Sequence, residues 1–441
     1  MRLQLDIINI ERVQFGERTE IADSVLHINR RELQKLLEED ARFSQVEIEL
    51  AHPGEKCRII HVCDVIEPRA KTSGGVDFPG ALGEQGIVGQ GNTCVLRGTA
   101  VVTSEDCRAG DPANSQINMG QLLHGKMIDM SMSGSEPAFV NELNTYARTH
   151  NVVVLPRRAD GVNIDDYRVA LKIAGLRAAV YLAKAGKDLS PDEIEVYDLP
   201  PLSNLTKGME GLPKVAYVFQ FISGQFVSIP GYPILYGSNV DRIVPTILHP
   251  NEVLDGAIVT PHFNIHLHLF DLQNHSIIKE LYKRHGKDLC FVGVVITVAH
   301  ANEKENERSS TIAANLVKWT LGADGVILTK AGGGIPEVPM GLTAQKCEER
   351  GIKTAIALAH LPTTLADADS RTLFSNPELD AIVSLGTPWS LITLPPVERI
   401  IGTSVPSPGD PPVDGKLETT LTSTKGVLSQ IGGTRLTAVG Y

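Results

Sequence analysis

Apolar and polar positions along this chain follow two periods, and the change between them divides it. In the first third, short runs at 46–50, 58–65 and 94–102 alternate between apolar and polar residues, with glycine and proline between them, which predicts strands. Residues 31–39 suggest a short exposed helix. Residues 163–186 repeat Val169, Ile173, Leu176 and Val180 at helical spacing, with Asp165 and Asp166 where a helix N-terminus favours carboxylates. Runs at 193–197 and 215–221 read as strands. From about residue 213 strands and helices take turns. A helix at 276–285, capped by Asn274, carries Ile278, Leu281, Tyr282 and His285 on one face. The unbroken apolar run 289–298 suits a parallel strand covered on both faces. A helix at 309–321, with Ser309 and Ser310 at its start, a strand at 325–329, a helix at 343–350 and strands at 354–358 and 381–384 complete the pattern. The expected fold is α/β: a β-rich N-terminal domain (1–135), a helical or mixed connecting region (136–212), a doubly wound, mostly parallel α/β sheet (213–401) and a Pro/Gly-rich C-terminal arm (402–441).

Composition narrows the class. A net charge of −11 and a pI of about 5.7 argue against nucleic-acid or anionic-membrane partners. No apolar run approaches the ~20 residues of a membrane span, and the N-terminus lacks the apolar stretch of a signal peptide, so a cytoplasmic protein is expected. None of the cysteines forms a C-x-x-C pair, which excludes a zinc ribbon or thioredoxin motif and leaves free thiols. The glycine-dense block 74–91 reads as a set of turns or as a loop closing over a ligand.

The chemistry is expected in residues 260–271, T-P-H-F-N-I-H-L-H-L-F-D. Read as a strand, one face carries His262, Asn264, His266 and His268, and the other Phe263, Ile265, Leu267 and Leu269. Three readings stand open: a solvated face, a core polar network, or a site for a divalent metal or proton transfer. The metal reading names His262, His266, His268 and His275 as ligands, zinc as the ion, and Glu303, Asp271 and His300 as catalytic or supporting groups. Arg308 and the turn containing Gly333 and Gly334 would hold a substrate carboxylate, with Asn264 as a further contact. That turn also reads as a plain tight turn. No G-x-S-x-G elbow is present.

Several segments carry a family resemblance: V-Q-F-G (13–16), D-V-I-E-P-R (64–69), F-P-G (78–80), L-H-P-N-E-V-L-D-G-A (248–257), I-K-E-L-Y-K-R-H-G-K-D-L (278–289), E-R-S-S (307–310) and L-G-A-D-G-V-I-L-T (321–329). Together they resemble the proprotein subunit of component B of glycine/sarcosine/betaine reductase, to which a D-proline reductase subunit is related. The resemblance implies self-cleavage before a cysteine shortly after L-D-G-A, a pyruvoyl group made from it, capture of the substrate amine as a Schiff base, and reductive C–N cleavage by a selenoprotein partner. Here that stretch has no cysteine, and the next one downstream is Cys290. The resulting expectation is an uncleaved, metal-dependent enzyme of amino-acid catabolism without pyruvoyl. It would cleave a C–N or C–S bond of a small carboxylated nitrogen compound of hydantoin or thiohydantoin type, as a hydrolase or lyase. A non-pyruvoyl substrate-binding subunit of such a reductase complex and a non-catalytic small-molecule binder remain as alternatives. A small-molecule substrate, a homo-oligomer and an optional partner subunit are the expected associations.

Overall fold

The computed structural model describes residues 1–108, 126–201, 204, 208–222, 233–241, 243–259, 267–332, 336–359, 379, 381–386, 388, 390–403 and 411–432. It is a mixed α/β protein with a β-rich N-terminal half, as the periodicity predicts.

Two four-stranded sheets dominate that half. One runs Glu193–Asp198, Arg2–Asn9, Gly91–Arg97, Arg69–Lys71; the other runs Phe43–Ala51, His150–Arg158, Thr99–Ser104, Val62–Ile66. Leu3, Leu5 and Ile7 are buried while Gln4 and Asp6 between them are not, the period of a half-covered strand. Two runs that read as single strands are each broken in two. Gly98 turns with φ +91, its backbone so close to the Ile10 carbonyl that a Cβ would lie 2.4 Å from that oxygen, and the chain passes from one sheet to the other there. His61, at φ 54, separates Cys57–Ile60 from Val62–Ile66. An apolar pattern continues through such a kink, so periodicity alone cannot see it.

Helix Ile164–Ala183 starts at Asn163, whose side chain accepts from the Asp166 amide. It is buried along most of its circumference, so the single stripe read from its sequence is too narrow, and Arg168 and Lys172 are carried inside.

The second half is a six-stranded sheet in the order Thr246–Leu248, Cys290–Ala299, Lys214–Ile222, Gly325–Lys330, Lys353–Leu358, Ala381–Ser384. All pairings are parallel except that of Thr246–Leu248. Tyr217, Phe219 and Phe221 join the core shared with the N-terminal half, whereas Ala216 and Val218 join a second core under helices Glu303–Asn315 and Glu337–Glu348. Both faces are thus covered, which is why the strands read as nearly continuous apolar runs.

Three local expectations need correction. The helix expected from Ser309 begins at Glu303, capped by Asn302, because its first two turns are charged and exposed and carry no apolar signal. Ser309 and Ser310 are therefore buried mid-helix residues, not caps. Helix Ser276–Arg284 is capped by His275, whose ring accepts from the Ile278 amide, and not by Asn274.

After the parallel sheet the chain returns to the N-terminal half. Arg399–Ile401 pairs with Cys57–Ile60, and the buried Arg58 guanidinium binds Asp129 together with the carbonyls of Pro395, Val413 and Gly415. This return brings residues 417–432 against the first half. Residues 404–410 and 433–441 of the expected arm lie outside the described set.

Candidate functional site

Residues 260–266 lie outside the described set, and with them His262, Asn264 and His266. Both flanks are described, and both are tied to the N-terminal half by buried charges. Upstream, Asp255 accepts from Lys71 Nζ, the Gly89 amide and Thr93 Oγ1, each at 2.7 Å. Downstream, Asp64 accepts from the Leu269 amide at 3.0 Å and pairs with Lys172, neither side chain being exposed. Arg69 joins the two flanks: its guanidinium donates to the Leu254 carbonyl at 2.8 Å and to the Gln273 carbonyl at 3.0 Å, while Glu67 holds it at 2.6 Å. The D-V-I-E-P-R segment thus supplies Asp64, Glu67 and Arg69 to this clamp, and L-D-G-A supplies Leu254 and Asp255.

The expected strand does not extend over residues 267–271. His268 precedes a short helix, Leu269–Gln273, and both it and its neighbours Leu267 and Leu269 are buried, so no period-two division into wet and dry faces holds there. The Asp271 carboxylate accepts from the His268 amide at 2.9 Å and from the Tyr146 hydroxyl at 2.8 Å. The Tyr146 oxygen lies 3.1 Å from His268 Nδ1. A carboxylate can only accept, so the tyrosine proton points to Asp271 and the histidine must donate through Nδ1. That assigns the tautomer: Nε2 carries the lone pair, and it is buried without a hydrogen-bond partner. Burial holds the imidazole below its ordinary pKa, against the pull of Asp271.

A second unpartnered group completes the cluster. Lys425, brought in by the returning C-terminal segment, is fully buried, and its Nζ has no hydrogen-bond partner. Burial pushes it down to about 7, although Asp271 pulls the other way. Lys126 is buried close enough that its own pKa is depressed by burial and then by the Lys425 charge. Neither Lys126 nor Lys425 is among the site residues that the sequence suggests. Nothing in their local sequence marks them, because both depend on chain returns from far away.

The other expected residues do not gather here. His275 is a core residue: Nδ1 accepts from the Ile278 amide at 3.4 Å and Nε2 meets the Tyr217 hydroxyl at 3.0 Å, so the ring is satisfied, and burial pushes it down to about 3. His300 sits past the Cys290–Ala299 strand with Nε2 3.0 Å from Ser309 Oγ. Glu303 and Arg308 are exposed on the following helix. Lys330, at the carboxyl end of its strand, is buried against the Gly332 carbonyl and Glu337, and burial pushes it down to about 8. Gly333 and Gly334 lie outside the described set. Among the described residues, no three His, Cys, Asp or Glu side chains come together as a metal site would require, and no helix is long and apolar enough to cross a membrane.

A parallel sheet docked on a β-rich half, with buried charges at the two flanks of residues 260–266 and an interior cluster of titratable groups, defines a two-part α/β protein with an internal polar cluster. A family model described as glycine/sarcosine/betaine reductase component B subunits matches residues 1–418. Over all of both chains, the protein is 33% identical to the glycine reductase complex component B subunits alpha and beta of Acetoanaerobium sticklandii. It is 35% identical to the sarcosine reductase complex component B subunit alpha of Peptoclostridium acidaminophilum, over 91% of this chain and 89% of that one. With the betaine reductase complex component B subunit alpha of the same organism it shares 32% identity, over 91% and 88%. No solved structure matches. The chain belongs to the glycine/sarcosine/betaine reductase component B family.

That membership overturns the expectation of a zinc-dependent hydrolase or lyase, since the relatives are subunits of reductase complexes. The pyruvoyl group implied by the resemblance does not fit the residues present. No cysteine lies between Cys107 and Cys290, and Cys290 is wholly buried as the first residue of a central strand.

Proposed function

We propose that this chain is the substrate-binding subunit of a reductase complex of the glycine/sarcosine/betaine class, and that it works uncleaved, without a pyruvoyl group. The observation that carries this reading is the similarity to a component B chain over 100% of both lengths. Two features support it. The clamp on the flanks of residues 260–266 draws on segments that carry the resemblance, and the sequence between those flanks has no cysteine. The substrate site is the interior cluster of Tyr146, His268, Asp271 and Lys425.

The test is purification from the native cell under mild conditions, followed by intact mass measurement. The expected result is one uncut chain running through residue 260 that travels with a second polypeptide. A chain split near residue 260, with a new terminus that reacts with hydrazines, would overturn the uncleaved state. A chain that never associates with another polypeptide would overturn the subunit role.

A further inference from the structure

We propose that Lys425 is an imine-forming residue: its side-chain amine captures a small aldehyde or ketone in the interior site, and His268 moves the protons. The inference rests on the proposed function only in taking this cluster as the substrate site.

Three other buried lysines among the described residues have partners. Lys172 pairs with Asp64, Lys71 with Asp255, and Lys330 with Glu337 and the Gly332 carbonyl. Lys425 is as deeply buried and its Nζ binds no acceptor. An unpaired ammonium inside a protein is costly, so the amine sheds its proton. The pKa of about 7 agrees with this geometry. A neutral primary amine shielded from water is a nucleophile toward carbonyl carbon.

The surroundings hold the amine in place. The Lys425 amide donates to the Met127 carbonyl at 2.8 Å, and the Thr145 amide donates to the Gly426 carbonyl at 2.8 Å. Gly426 has φ +90 and packs so tightly that a Cβ would lie 2.5 Å from Asn144 Oδ1 and 2.9 Å from the Tyr146 amide. The turn carrying Lys425 is therefore locked onto the residues next to and including Tyr146. The lone pair on His268 Nε2 is the matching base. Since neither His268 Nε2 nor Lys425 Nζ has a hydrogen-bond partner, they do not bond to each other.

The step balances without an oxidant or reductant. The Nζ lone pair forms a bond to the carbonyl carbon as the C=O π pair moves to oxygen. A proton passes from nitrogen by way of His268 to that oxygen, giving a carbinolamine. The second nitrogen proton then passes by way of His268 to the hydroxyl, which leaves as water as the C–O bond breaks and the nitrogen lone pair forms the C=N bond.

The experiment treats the full-length chain with glyoxylate and cyanoborohydride near neutral pH and maps the modified peptides by mass spectrometry. The expected result is a carboxymethyl group on Lys425, formed faster than on any exposed lysine. Replacement K425M removes that label, and H268Q, which keeps the amine, slows it by about a hundredfold. An unmodified Lys425 peptide beside labelled surface lysines overturns the proposal, as does labelling of Lys425 no faster than theirs. An H268Q rate equal to that of the parent overturns the role of His268. If K425M fails to fold, the peptide map of the unmodified sequence still decides. Trapping needs no second polypeptide and co-purification needs no trapping, so failure of this proposal and failure of the subunit role are read separately.

Discussion

His268 and His275 begin alike and end differently. Each precedes a short helix, each is buried, and burial holds each below its ordinary pKa. His275 spends both ring nitrogens on the core, one on the Ile278 amide and one on Tyr217, which in turn bonds Thr329. His268 spends one on Tyr146 and leaves Nε2 open beside a lysine that is also unpartnered. Burial and a depressed pKa are shared by a structural histidine and a candidate site histidine. The open nitrogen separates them, because most buried polar atoms are hydrogen-bonded and one that is not calls for an explanation.

The strongest way to break the comparison is to remove what holds the His268 region in place. Asp64→Ala strips the acceptor from the Leu269 amide and leaves Lys172 buried without its partner. The expected cost is about 3–5 kcal/mol, seen as a lower denaturant midpoint. A loss under about 1 kcal/mol would show that the clamp does not depend on this pair.

His275→Ala should come next, at about 2–4 kcal/mol, from the cavity and the stranded Tyr217 and Ile278 groups. Trapping at Lys425 in the folded fraction should not change. Slower trapping would mean that the two histidines are one site.

The pH dependence sharpens the same contrast. His275 titrates at about 3 when folded, while the unfolded chain titrates near ~6.5. The unfolded state therefore binds the extra proton as pH falls, and stability is lost between about 6.5 and 3 at up to ~1.4 kcal/mol per pH unit. Unfolding midpoints measured across that range should fall with acid, and the fall should be shallower in His275→Ala. Equal slopes in the two proteins would contradict the satisfied, neutral ring.

His268→Gln should have the smallest effect on stability, within about 1 kcal/mol, because the amide can still donate to Tyr146. It is expected to alter trapping far more than the unfolding midpoint. A large loss of stability would place His268 with His275 as a core residue.

The sequence by itself determined the α/β class, the change of period near residue 213 and most of the strands of the parallel sheet. Those features come from local apolar periodicity, which survives in any tertiary context that buries the same face. The family, too, was legible in contiguous segments such as D-V-I-E-P-R and L-H-P-N-E-V-L-D-G-A. The candidate site is assembled by the tertiary structure alone. The turn of Lys425 and Gly426 packs against Tyr146 because Arg58 and the Cys57–Ile60 strand draw the C-terminal segment back across the molecule. Periodicity records which face of an element is buried, and it carries no record of which distant side chain will lie against it or of which nitrogen will be left without a partner.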